Sequence, residues 1–174
     1  MMAALKAATH AQHRDIERLI PLMNPNLTMA EYRQYLGRML GYLQPIETLL
    51  ESISGLSVVV PDLAQRRKSA WLRDDLGVTT VEECADLPSL TSISAALGCM
   101  YVLEGSTLGG QILARQIAIQ LSEPRMSFLQ SYGTDTGTKW KRFGAEVNGY
   151  AGDGAAMITA AQTTFDTLAR WLSA

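Results

Sequence analysis

Two cysteines, two histidines and no apolar run approaching the ~20 residues that span a bilayer are the scarcities that first narrow this 174-residue chain. Cys84 and Cys99 form no close pair and are too few for a disulfide framework, which points to a reducing cytoplasm. The first ten residues lack the uninterrupted apolar core of a secretion signal. Net charge is −2 with no large basic cluster, so neither nucleic acid nor a membrane surface is an expected partner. His10 and His13 sit on one segment with no histidine elsewhere, so the Glu-X-X-His pairs that a ferritin-like di-iron bundle draws from two helices cannot be assembled. Internal repeats and low-complexity segments are also lacking. What remains is a small ligand or a protein partner, held by a chain long enough for one domain, 1–174, with a sizeable core.

What is present is helical periodicity. Leu5, Thr9, His13, Ile16 and Ile20 share one face of a first helix over 3–20, which Pro21 ends. Thr28 with Glu31 is a capping-box pair opening a second helix that turns Tyr32, Tyr35, Leu36, Met39 and Leu43 inward, with Gly37, Gly41 and Pro45 expected to bend it. Val58 to Val60 is the only strand-like run, too short to build a sheet. A third helix is expected over 62–76, stopped by Gly77, and Asp153 is placed to cap a last helix with Met157, Ala161, Phe165, Leu168 and Leu172 on one stripe. The architecture implied is all-α, five to seven helices in one bundle-like domain.

The chain's organising stretch is 91–121, free of proline and apolar at helical spacing, which reads as one long helix. It nevertheless carries Gly98, Gly105, Gly109 and Gly110, and each costs about 1 kcal/mol relative to alanine inside a helix. At about 100° per residue, Ser94, Ala95, Gly98, Gly105 and Gly109 fall on one narrow face where backbone is bare. Either a second helix packs there at close approach, or a planar ligand needs contact with main chain.

His13 lies near the centre of the first helix's apolar stripe, while His10 points about 60° or more away, so His13 is expected to face the interior. It is either a core histidine with its hydrogen bonds met or an axial ligand to iron. Glu17, one turn on, can accept a hydrogen bond from the ring nitrogen not used for a metal, or can be a solvated helix residue. Lys6, Tyr101 and the basic cluster Lys139, Lys141 and Arg142 are candidates for an anionic group at a pocket mouth; Arg66, Arg67 and Lys68 form the other basic run.

These residues resemble a heme oxygenase of the bacterial, biliverdin-producing kind found alongside bacteriophytochromes. The likeness is carried by the run from Leu5 and Lys6 through Thr9 to His13, by Tyr101–Leu113 with Glu104, Gly105, Ser106, Gly109 and Gly110, and more weakly by Gly137–Phe143. The resemblance implies a single-domain heme-oxygenase-like helical bundle in which His13 ligates heme iron, Glu17 supports it, and Gly105, Ser106 and Gly109 form the distal face. Lys6, Tyr101, Lys141 and Arg142 are then the expected contacts to the heme propionates. Where mammalian-type members carry a distal aspartate, this chain has Ser106, as other bacterial members do. The activity implied is conversion of heme with dioxygen to biliverdin, ferrous iron and carbon monoxide. No flavin or nicotinamide motif appears, so electrons are expected from a ferredoxin, flavodoxin or reductase, with a bacteriophytochrome as a candidate recipient of the pigment. Two rivals share the fold: a heme-binding protein without turnover, and a thiaminase-type enzyme with a cysteine nucleophile. Cys99 is turned about 100° away from the glycine face, which weighs against the second.

Overall fold

The computed structural model describes residues 1–174. All regular structure is helical: α1 Met2–Ala8, α2 His10–Leu19, α3 Met29–Ser52, α4 Leu56–Val59, α5 Ser69–Leu76, α6 Ile93–Gly105, α7 Thr107–Gln120, α8 Ser127–Gln130, α9 Thr136–Gly149 and α10 Gly154–Ser173. Short 3-10 turns occur at Pro21–Met23, Leu63–Arg66 and Gly133–Asp135. No helix is long and apolar enough to cross a membrane.

The helix boundaries follow from capping chemistry. Thr28 and Glu31 form the reciprocal capping box that opens α3. Asp153 accepts from the amides of Ala155 and Ala156 to open α10. Gly77 closes α5 in the left-handed conformation, φ 67°, which a residue with a Cβ adopts at a cost.

Two expected helices are broken where hydroxyl side chains compete for carbonyls. The first breaks at Thr9, φ −109° and ψ 7°, whose buried hydroxyl donates to the Leu5 carbonyl at 2.8 Å. The 91–121 helix breaks at Ser106: the Ser106 hydroxyl donates to Leu103 O at 2.8 Å and that of Thr107 to Glu104 O at 2.7 Å. The expected third helix is likewise a 3-10 turn followed by α5, and Val58 and Val59 belong to the single helical turn α4 rather than to a strand. Pro45 lies inside α3, which runs unbroken for 24 residues. Gly41 serves close approach there: a Cβ would strike the Glu82 carbonyl, and the Gly41 carbonyl accepts from the Cys84 amide at 2.9 Å.

One cluster of buried apolar side chains drawn from α1 to α10 forms the core. Helix α10 is its spine. Against α10 packs α6 at near-backbone distance, because Gly98 leaves room for the Met157 carbonyl where any Cβ would collide. Helix α2 lies against another part of α10, with the His13 ring edge-on to Phe165 at 6.0 Å between centroids. Positions 157 and 165 are about 80° apart around α10 and about 12 Å apart along it, so α6 and α2 flank it on neighbouring faces. The turn Pro21–Met23 then returns to α7.

Replacing Gly98 by alanine therefore lowers stability by about 1–3 kcal/mol, an overpacking cost. Gly37→Ala, at a helical position with nothing within 4 Å, raises it by about 0.5–1 kcal/mol. Urea unfolding of both variants measures the contrast in sign.

Candidate functional site

Helix α7 has apolar residues on two opposite faces. Thr107, Gly110, Ala114 and Ile117 are buried. On that side Gly110 meets the backbone of Leu129, where a Cβ would strike the carbonyl. Gly105, Leu108, Gly109 and Ile112 recur at i, i+3, i+4 and i+7, some 170° around the axis; Leu108, Gly109 and Ile112 are exposed and Gly105, the last residue of α6, is half-buried. Ile112 is 65% exposed, and a Cβ built on Gly109 meets nothing within 4 Å. A Cβ on Gly105 would touch only the Trp140 ring, at 3.7 Å.

The four glycines of the expected flat face therefore part company. Gly98 and Gly110 take the first of the two alternatives, close packing against another element's backbone. Gly109 leaves bare backbone uncovered, and Gly105 leaves it half-covered, beside the Trp140 ring. Ser106 between them is exposed, but its proton is engaged with Leu103 O, so its oxygen can only accept from a neighbour.

The imidazole of α2 is also uncovered. The His13 side chain is 57% exposed and not interior, because Ile16 is the one buried residue of α2 and only Phe165 stands against the ring. Nδ1 of His13 faces Glu17 Oε1 at 3.5 Å, which leaves Nε2 as the free nitrogen. His10, one turn back, is also exposed. Gln162 of α10 pins this segment beside its break by donating to Ala8 O at 3.0 Å.

The expected anchoring residues lie on elements that adjoin. Met2 of α1 packs its side chain on Gly144 of α9, and the Met1 ammonium and the Met2 amide both donate to Asn148 Oδ1 at 2.9 Å, so α1 and α9 lie side by side. Lys6 and Lys141, from those two helices, are both exposed. Arg142 is exposed too but shares its guanidinium with Glu146 at 3.2 Å. The half-buried Tyr101 ring rests on Trp140 at 5.8 Å between centroids, and its hydroxyl has no partner within the protein.

Lys139 does not join them. It donates to Asp62 at 2.7 Å within a buried ionic cluster that also holds Arg66, Lys68, Glu104 and Tyr132. The Asp62 carboxyl is desolvated, which alone would raise its pKa, yet hydrogen bonds from Arg66 and Lys139 outweigh burial and hold it below the ordinary carboxylate range. Burial, and then the adjoining Glu104 carboxylate, push the Tyr132 phenol well above its usual value.

Sequence reasoning missed this cluster, together with Trp140 and Phe165 as neighbours of Gly105 and His13. The signal for the cluster was Glu104 itself, the single charge between Thr91 and Ala114. A lone carboxylate in an apolar helix needs buried cations, and the adjacent run Arg66, Arg67 and Lys68 supplies two.

Chemically, the open face suits a planar, mostly apolar ligand, and the free imidazole suits a metal. No group of three His, Cys, Asp or Glu side chains is placed to hold one. A metal bringing its own in-plane ligands asks the protein for one nitrogen only, which fits heme and His13.

Three comparisons bear on this arrangement. The family model described as heme oxygenase matches residues 1–174. A structural match is the nitric oxide- and carbon monoxide-bound heme oxygenase of Neisseria meningitidis, 22% identical, covering 98% of this chain and 89% of that one with a TM-score of 0.84. No curated protein matches the sequence.

Because Asp62 has a lowered folded-state pKa, its contribution is complete above the unfolded carboxyl value, near pH 4, and disappears as pH falls through the folded one. Asp62→Asn is thus expected to cost about 3–5 kcal/mol at pH 7. In urea titrations across pH 2–7 that difference from wild type is flat near neutrality and shrinks below about pH 4.

Proposed function

The chain belongs to the heme oxygenase family, and we propose that it cleaves heme oxidatively, releasing biliverdin, ferrous iron and carbon monoxide. The observation that supports this most is the uncovered face of α7 at Leu108, Gly109 and Ile112, continued at the end of α6 by Gly105. Heme, as substrate, supplies both the iron that activates dioxygen and the porphyrin that is oxidised. The protein's part is to ligate, orient and shield it.

His13 Nε2 is the proposed axial ligand. Glu17 Oε1, 3.5 Å from Nδ1, is placed to accept from an Nδ1–H as the ring settles on a metal, and the Phe165 edge restrains rotation of the ring. On the far side Gly105 and Gly109 let main chain approach the porphyrin with no side chain between. The polar groups that 105–109 presents there are peptide groups and the accepting oxygen of Ser106, which can fix a water by taking one of its hydrogens. Trp140, against Gly105, walls one edge of the ring.

Lys6, Lys141, Arg142 and the Tyr101 hydroxyl are the proposed propionate contacts. Of these, Lys6 and Lys141 are the stronger pair, since Arg142 is shared with Glu146. Fixing the propionates fixes in-plane rotation, and hence which meso carbon lies under the glycine backbone. Electrons come from a separate ferredoxin, flavodoxin or reductase, and a bacteriophytochrome is a fitting recipient of the product. Two buried, unpaired cysteines accord with a reducing cytoplasm.

The thiaminase-type rival asks for an accessible nucleophilic thiol. Cys99 is fully buried, which pushes its thiol up to about 12. A heme carrier without turnover is separated by experiment. Heme titration followed by reduction in air shows loss of the Soret band and a verdin product for the enzyme, and a stable heme spectrum for the carrier.

In the same assay His13→Ala changes the axial-ligand spectrum while His10→Ala preserves it; identical spectra for both variants remove His13 as ligand. Gly109→Leu leaves apoprotein unfolding within about 1 kcal/mol of wild type, since the space is open, but cuts turnover by at least about tenfold. Full turnover in that variant contradicts the distal-face assignment.

A further inference from the structure

The bare backbone of residues 105–109 hangs between two anchors. On its N-terminal side the Glu104 side chain, 2% exposed, is held by three donors: Lys68 Nζ at 2.5 Å, Arg66 Nη1 at 2.6 Å and the Tyr132 hydroxyl at 3.0 Å. On its C-terminal side Gly110 lies against the backbone of Leu129, and Gln111 Nε2 donates to Gly133 O at 2.6 Å. Both anchors bear on 129–133, so one short buttress fixes both ends of the glycine segment.

The chain between has little to hold itself. Gly105 and Gly109 add no side-chain contact, and the hydroxyls of Ser106 and Thr107 occupy carbonyls beside the break. The Glu104 carbonyl is the one taken by Thr107, so the same residue is bound through side chain and main chain at once. A buried carboxylate met by two cations and a phenol has one low-energy position, because leaving any donor exposes uncompensated charge in a dry interior. It therefore specifies where α6 ends and at what height Gly105 begins.

Resting on the heme oxygenase reading, we propose that Glu104 is a positioning residue for that reaction: its clamp by Arg66, Lys68 and Tyr132 sets the height of the Gly105–Gly109 backbone over the porphyrin. Glu104 touches no substrate. It acts through the glycines, and its loss lets the distal segment lift, which broadens the choice of meso carbon and slows turnover more than it weakens heme binding.

Two measurements on Glu104→Gln and the milder Tyr132→Phe test this. The first is amide hydrogen exchange of the heme-free proteins, expected to quicken by about tenfold or more at 105–109 in Glu104→Gln and by less in Tyr132→Phe, with 160–168 of α10 unchanged. The second is turnover with product chromatography, expected to show heme affinity within about threefold of wild type, kcat down by about tenfold or more, and a mixed verdin isomer pattern. Unchanged exchange at 105–109, or acceleration spread evenly over α6 and α10, overturns the proposal, as does a wild-type kcat and isomer pattern in Glu104→Gln. Should Glu104→Gln fail to fold, the same outcomes read on Tyr132→Phe decide it. Wild-type protein that takes up no heme overturns the functional reading instead, and the exchange data still show whether Glu104 holds the segment.

Discussion

A helix that is apolar on two opposite faces can bury both only when flanked on two sides. Helix α7 is packed by α6, α8, α9 and the turn Pro21–Met23, with Gly110 and Ile117 turned to α8 and the core, yet Leu108, Gly109 and Ile112 stand open. The arrangement of the neighbouring elements follows from keeping that face clear. Gly98 draws α6 down onto α10, the break at Ser106 redirects the chain into α7, and α2 packs on α10 one face away so that His13 is left uncovered as well. Each glycine in the motif thus has one of two jobs, close packing at 98 and 110 or an exposed backbone at 105 and 109.

The two sides of the proposed pocket are built on opposite principles. The partners of His13 are few and include no buried charge: the exposed Glu17 one turn on, and the Phe165 ring from distant α10. The glycine side owes its position to charges far away in sequence, since Glu104 is held by residues from 66, 68 and 132. Buried ion pairs contribute little net stability compared with apolar packing, but they fix register where side-chain packing is absent. Of residues 105–109 only Thr107 is buried, and it is at the head of this segment that the chain places the charge cluster around Glu104.

Much of this was legible in the sequence where the cause is local. Thr28 with Glu31, Gly77 and Asp153 each act within one helical turn, and each sits where the residues alone placed it. The helix breaks at Thr9 and Ser106 were hidden because apolar spacing continues straight through them, and only the hydroxyl bonds to preceding carbonyls reveal the change of course. His13 was expected inside because its stripe is apolar; nothing along the stripe reports that α10 meets the ring only edge-on, at Phe165, and leaves the side chain 57% exposed. Lys139 looked like its neighbours Lys141 and Arg142, and only the approach of Asp62 from another segment separates it from them.

Crystallography of the heme-loaded protein tests the central claim most directly. The account predicts one porphyrin with His13 Nε2 on the iron, Gly105 and Gly109 main chain over the other face, and propionates at the Lys6 and Lys141 end. Heme bound elsewhere, ligated by another residue, or separated from 105–109 by packed side chains contradicts it.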